Sequence, residues 1–296
     1  MALDSMQEIL ERMEAENKPF WQVVQDTDRE ERQVTAEASR EKMRATWQAM
    51  LESVTSYQGE RMSLSGLVGG DGERMRRYAR EGTPLSGAYL QEVIATALCV
   101  GESNACMRKI VAAPTAGACG VLPAVLVPLY QSGQAEEEEI LQALYVAAGI
   151  GAVVGYRACI AGAAGGCQAE IGTASAMAAG ALTALRGGSG AQVGHAVAMA
   201  LKNLMGLICD PVAGLVEVPC VKRNVVGAVN AVSCADMALA GITSRVPVDQ
   251  VIDCMGDVGR RLPVEFRETA LGGLAVTPFG QSVKEQLQSR TEPQET

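Results

Sequence analysis

A mostly α-helical fold is what the sequence predicts: a single compact helical domain of buried Ala/Gly-rich helices joined by Gly- and Pro-bearing loops. Three observations carry this. The 296-residue chain is 48% hydrophobic, yet it holds only three Phe, six Tyr and two Trp against 32 Gly. Such a core is filled by small and aliphatic side chains, which lets helices pack at short range. Apolar residues recur at helical spacing over long stretches, and alternating β-branched runs shrink to short pieces such as Val225 to Val232.

Taken in order, Leu3, Met6, Leu10 and Met13 recur at steps of three and four, as do Met43, Trp47, Met50, Leu51 and Val54. Both are amphipathic helices. The polar stretch Gln25 to Arg40 between them reads as loop or exposed helix. Two punctuated loops follow, Ser63 to Gly72 and Gly82 to Gly87, on either side of a basic helix with Arg74, Arg76, Arg77 and Arg80. Gly69-Gly70-Asp71 before a helix start presents backbone N–H groups to an anion; the plainer reading is an N-cap at Asp71. Glu136 to Glu139 head the next helix, where negative charge suits the dipole. Ile140 to Tyr156 and Ile171 to Leu185 are then almost uniformly apolar but rich in Ala and Gly, as in helices buried on all sides rather than membrane spans. Gly151 and Gly155, with Ala147 one turn before, are expected to admit a neighbouring helix. The tail from Gln281 to Thr296 is polar and expected to fray.

Charge divides the chain. Residues 1 to 60 carry 13 Asp/Glu and 7 Lys/Arg, whereas residues 140 to 201 carry only Arg157, Glu170 and Arg186. The expected organisation is an amphipathic segment over 1–60 packing on a helical catalytic domain over 61–280, then a polar tail over 281–296. A net charge of -9 and a pI near 4.9 speak against nucleic acid and anionic membrane as partners. The first 16 residues lack the apolar run of a signal peptide, so a cytoplasmic location is expected.

Several chemistries are excluded by what is missing. One histidine and no Cys-x-x-Cys pair cannot build a zinc ribbon. The nearest dinucleotide-like run, Gly149 to Gly155, lies inside an apolar helix, and no Walker sequence occurs. Of the six lysines only Lys202 lies on a mainly apolar segment, with no phosphate loop nearby to suit pyridoxal phosphate. Nine cysteines remain. Cys99, Cys159, Cys234 and Cys254 sit in Ala/Val/Leu surroundings and read as packing. Cys167 follows Gly165-Gly166, Cys209 precedes Asp210-Pro211 and Cys220 follows Pro219. Gly and Pro end helices and leave a thiol at a chain turn, and thiolates with almost no imidazole favour iron–sulfur over other metals.

Four separated segments carry a family likeness: Met107 to Pro123 (MRKIVAAPTAGACGVLP), Gly165 to Gly172 (GGCQAEIG), Cys209 to Cys220 (CDPVAGLVEVPC) and Glu268 to Val276 (ETALGGLAV). In this order they resemble the α chain of iron–sulfur-dependent L-serine dehydratase (L-serine ammonia-lyase), over roughly residues 60 to 280. The resemblance implies a mostly helical catalytic domain in which Cys167, Cys209 and Cys220 hold a 4Fe-4S cluster with one iron lacking a protein ligand. Such an iron acts as a Lewis acid on the hydroxyl and carboxylate of L-serine. It also implies substrate-binding loops at Ser63, Ser65, Gly69, Gly70 and Asp71 and at Pro114, Thr115, Ala116 and Gly117. Oxygen sensitivity, an oligomer and a separate β chain able to supply a histidine are further implications.

Cys119 adjoins the second loop and stands outside the ligand set. Glu170, a carboxylate in apolar surroundings, is expected to bond loop backbone or a cation near Cys167 rather than act as the base. His195 is the one histidine able to titrate near neutrality, and is a catalytic candidate set against a structural role. Two rival functions stay open: a cysteine desulfidase on a related scaffold, and a non-catalytic iron–sulfur subunit.

Overall fold

The structure, a computed structural model, describes residues 3–291. Thirteen α-helices run through them, with no β-strand among the described residues. They are α1 Met6–Glu16, α2 Phe20–Arg32, α3 Ala36–Thr55, α4 Asp71–Glu81, α5 Gly87–Ala105, α6 Val121–Gln131, α7 Glu137–Arg157, α8 Gly162–Gly165, α9 Thr173–Leu185, α10 Gly190–Leu204, α11 Cys220–Leu239, α12 Val248–Arg261 and α13 Pro278–Thr291.

Local chemistry sets many of these boundaries. Ser5 and Thr35 accept the backbone N–H groups of Glu8 and Ala38 at the starts of α1 and α3. Reciprocal capping boxes, Glu136 with Glu139 and Ser189 with Gln192, open α7 and α10. The polar stretch Gln25 to Arg40 is helix to Arg32, a turn at 33–35 and helix again from Ala36. Val225 to Val232, the best strand-like piece in the sequence, is the middle of α11: tertiary packing overrides the weak propensity of β-branched side chains. The residues expected to fray from Gln281 are helical as far as Thr291, because α13 packs on the turns at 212–214 and 273–276; residues 292–296 lie outside the described residues.

The middle of the molecule is α9, which touches α6, α7, α10 and α11 and has buried residues from Thr173 through Thr183. Close helix approach occurs at Gly151 of the expected pair, against Met177 of α9, and more tightly at two glycines outside it. A Cβ on Gly149 would lie 2.5 Å from Cγ2 of Val24 on α2, and one on Gly180 would lie 2.2 Å from Cδ1 of Ile150. Gly151 faces the thioether of Met177, and Gly155 meets nothing nearer than Ile160 at 3.8 Å. The spacing was visible in sequence, but not which side of α7 faced which neighbour.

Gly149→Ala and Gly180→Ala are therefore expected to cost about 1–3 kcal/mol each through overpacking. Gly194→Ala, whose new methyl meets only Val248 at 3.8 Å, is expected to gain about 0.5–1 kcal/mol of helix propensity. Thermal melts of the three variants check the ranking, and a stabilised Gly180→Ala would contradict it.

By length and composition α7 is the one helix among the described residues able to cross a membrane; most of it is buried against α2, α3 and α9. The N-terminal helices close over the same core. Trp47 of α3 meets Tyr130 edge-on, and the backbone N–H groups of Met6 and Gln7 donate to Asp249 of α12.

Candidate functional site

Three cysteines from separate segments meet where α11 begins. Cys167 precedes a π-helical turn, Gln168–Gly172, that leads into α9, and Gly166 before it adopts φ 75°. A Cβ on Gly166 would press Leu262 Cδ1 at 2.7 Å and the Leu207 carbonyl at 3.0 Å, so glycine is required twice over. Cys209 lies in an extended piece zipped to residues 266–268: its N–H donates to the Phe266 carbonyl and the Glu268 N–H donates to its carbonyl. Cys220 is the first residue of α11, after the cis peptide bond Val218–Pro219. All three thiols are buried.

Their electrostatics differ. The Cys167 thiol is held below its ordinary range by the hydrogen bond with Cys209 and by the nearby Arg223 guanidinium. Cys209 is pushed up by the same sharing, by burial and by the Cys167 charge. Burial, with Cys167 nearby, pushes Cys220 up to about 12. Of the three, Cys167 gives up its proton most readily.

Carboxylates crowd the same place. From the Cβ position of Gly162, Glu170 Oε2 would be 2.7 Å away, Glu268 Oε2 3.1 Å and Cys209 Sγ 3.2 Å, so a side chain there would displace all three. Glu170 lies above its ordinary carboxylate range because it is desolvated and because Glu268 is close, against the lowering effect of Thr115. Its partner, expected to be loop backbone or a cation, is a hydroxyl: Thr115 Oγ1 donates to Glu170 Oε1 at 2.6 Å. The cation near Cys167, Arg223, pairs with Asp210 instead.

The two loops singled out in sequence both arrive at the start of α11. Ser63 and Ser65 donate to Glu217 Oε2, the former at 2.7 Å, and Asp71 is bridged to Lys222 at 2.8 Å. The loop of Pro114, Thr115, Ala116 and Gly117 is held through Thr115 to Glu170 and through the Gly117 carbonyl, which accepts from Asn224 Nδ2 at 2.8 Å. Asn224 Oδ1 also accepts from the Gly120 N–H at 2.8 Å.

The N-terminus of α4 has its anion already. Gly70 rather than Asp71 stands at the N-cap position, with φ 80°, and the N–H groups of Asp71 and Gly72 donate to the buried Glu102 carboxylate, which also accepts from Tyr57. Glu102→Ala strands these donors and is expected to cost about 3 kcal/mol, read as a lowered urea midpoint; an unchanged midpoint would deny the carboxylate that role.

His195 is not brought here. It lies one turn past Gln192, whose amide reaches the Ala238 carbonyl, about five turns along α11 from Cys220. Of the cysteines read as packing, Cys99 and Cys234 are buried, Cys159 is half-buried and Cys254 is exposed on α12. Cys119 is buried, its thiol pushed up to about 12 by desolvation. Among the described residues no three His, Cys, Asp or Glu side chains are arranged to hold a single metal ion. Sequence reasoning missed Asp210, Glu217, Arg223, Asn224 and Glu268 as parts of the site. Arg223 and Asn224 stand three and four places after Cys220, the helical spacing that puts side chains on one face.

Fold and site together define a helical protein whose loops converge on a buried three-thiol centre flanked by carboxylates. The model of the serine dehydratase alpha chain family matches residues 15–275. A probable L-serine dehydratase alpha chain of Bacillus subtilis (strain 168) is 48% identical over 245 residues, covering 83% of this chain and 79% of the relative. The L-serine dehydratase alpha chain of Peptoniphilus asaccharolyticus is 39% identical over 283 residues, covering 95% and 97%. L-serine dehydratase TdcG of Escherichia coli (strain K12) is 46% identical over 182 residues, which are 61% of this chain and 40% of that longer protein. The chain belongs to the serine dehydratase alpha chain family.

Proposed function

We propose that this chain is the catalytic α part of an L-serine dehydratase, converting L-serine to pyruvate and ammonia, with a 4Fe-4S cluster held by Cys167, Cys209 and Cys220. The observation that carries the reading is the convergence of these three thiols, buried on separate segments, in a chain whose relatives are named for that activity. The donor set suits the group: three buried sulfur ligands without imidazole.

When bound, a cluster with one iron free of protein ligands supplies a Lewis acid for the hydroxyl of serine. The chain's residues bind and orient around it. The loops at Ser63, Ser65, Gly69, Gly70 and Asp71 and at Pro114 through Gly117 are assigned to the substrate carboxylate, which would take the hydroxyls of Ser63, Ser65 and Thr115 in exchange for Glu217 and Glu170, while the Asp71 N–H stays on Glu102. Glu170, desolvated beside Cys209, holds a proton at its carboxyl more readily than an exposed glutamate. Loss of the Cα proton and the β-hydroxyl as water leaves an enamine, which tautomerises to an imine and hydrolyses. With His195 remote, the base is assigned to the β chain, the partner that the name "alpha chain" of the relatives implies. The catalytic unit is placed within residues 61–280 and the enzyme in the cytoplasm.

Anaerobic reconstitution with iron and sulfide, in the presence of the β chain, tests this. The expected result is broad visible absorbance and pyruvate formation from serine, lost on exposure to air. Full iron and sulfide without pyruvate would make the chain a non-catalytic iron–sulfur subunit, and preference for cysteine over serine would make it a desulfidase.

A further inference from the structure

Arg223 is a buried cation whose geometry exceeds what its ion pair requires. It lies one turn into α11 from Cys220, with its side chain 14% exposed and that of its partner Asp210 5% exposed. Its Nη1 donates to the Ile208 carbonyl at 2.8 Å and its Nη2 to Asp210 Oδ1 at 2.9 Å. The other carboxylate oxygen, Oδ2, accepts from the Leu274 N–H at 2.9 Å. Gly273, with φ 61°, leaves no room for a Cβ, which would lie 2.4 Å from that oxygen. Asp210 therefore holds the 268–276 segment with one oxygen and Arg223 with the other. The guanidinium so fixed is held by residues 208 and 210, on either side of Cys209, and one helix turn from Cys220.

Resting on the iron–sulfur reading given above, we propose that Arg223 is a positioning residue for the cluster: anchored by Asp210 and the Ile208 carbonyl on either side of Cys209, its guanidinium faces the cluster sulfurs and offsets the negative charge gathered by three thiolates. The planar fork allows this. A guanidinium can serve a carboxylate, a carbonyl and a sulfur at once in fixed directions, which a lysine ammonium on a flexible stem does not reproduce. Hydrogen bonds to cluster sulfurs and local net charge are the protein's levers on reduction potential, and partners that orient a metal ligand govern how tightly the metal is kept. The i, i+3 relation between Cys220 and Arg223 brings ligand and counter-charge in on the same helix turn.

The test uses the full chain reconstituted anaerobically with iron and sulfide, as wild type, Arg223→Gln, Arg223→Lys and Asp210→Asn, with far-UV circular dichroism to confirm folding. Arg223→Gln is expected to lower the reduction potential and to lose iron to a chelator about tenfold faster, the order expected for one charged hydrogen bond. Arg223→Lys falls between it and wild type. Asp210→Asn leaves the guanidinium without its counter-charge and shifts the potential upward. Wild-type chain that takes up no iron and sulfide overturns the cluster reading itself. A wild-type cluster whose potential and chelation rate are unmoved in Arg223→Gln, with only the melting temperature lowered, overturns the assignment of Arg223 alone and leaves it a structural partner of Asp210. Should Arg223→Gln fail to fold, Arg223→Lys and Asp210→Asn decide: opposite shifts support the proposal, and an unchanged potential in both overturns it.

Discussion

Cys167→Ser, Cys209→Ser and Cys220→Ser are each expected to abolish iron–sulfur incorporation and to lower serine turnover by more than about 100-fold, since even partners behind a metal ligand contribute 10–100-fold. The helical fold should survive, because each change swaps sulfur for oxygen at the edge of the core where loops meet. Cys254→Ala supplies the control: its thiol is exposed on α12 and remote from the other three in its contacts, which are with Met205. Cys119→Ala is the sharper control. That thiol is fully buried beside the 114–117 loop, so its loss leaves a small cavity and a stability cost of roughly 1 kcal/mol, with iron and sulfide content unchanged. Iron analysis and pyruvate release on the five variants check these outcomes together. A fourth cysteine as essential as the three would overturn the proposed open coordination position and, with it, the proposed Lewis-acid activation.

How much of this was legible in sequence follows the range of the interactions. Cys167 and Cys220 directly follow glycine and proline, and Cys209 has proline two residues on, a local signal of a thiol at a chain turn; the family likeness, rather than that signal, groups them as one ligand set. Helix starts at Ser5, Thr35, Glu136 and Ser189 are likewise written within four residues. The N-terminus of α4 was half legible: Gly69-Gly70 announced N–H groups awaiting an anion, but the anion is Glu102, 31 residues further on. Glu170 was recognised as an anomaly by its apolar surroundings, while its partner Thr115 is 55 residues away. The segment 268–276 could be matched to a family without a role; its work is to fold back along Cys209 and Asp210. The close-packing glycines Gly149, Gly151 and Gly180 are indistinguishable in sequence from the open Gly155, because helical rotation within the bundle is decided by every neighbour at once.

Asn224 shows the same limit with the largest consequence outside the cysteines. One side chain makes three hydrogen bonds and ties the 117–120 stretch to α11: Oδ1 accepts the Gly120 N–H, while Nδ2 donates to the Gly117 carbonyl at 2.8 Å and to the Cys220 carbonyl at 3.0 Å. It is buried, so no water replaces these bonds freely. Asn224→Ala is expected to cost about 3 kcal/mol, from a stranded N–H and carbonyls each left short of a partner, and to loosen the 114–117 loop from the thiol centre. Asn224→Asp separates the two effects. It nearly preserves shape and keeps the acceptor for Gly120, but it turns carboxylate oxygen toward two carbonyl oxygens and adds a charge near Cys220. If Asn224 only fills space, Asn224→Asp unfolds at nearly the wild-type urea midpoint and turns over serine at the wild-type rate. If it sets the loop, both fall, and KM rises in Asn224→Ala because the loop proposed to meet the substrate carboxylate is no longer held in register. Iron content distinguishes that outcome from damage to the thiol set, since Cys220 enters through its carbonyl and not its sulfur.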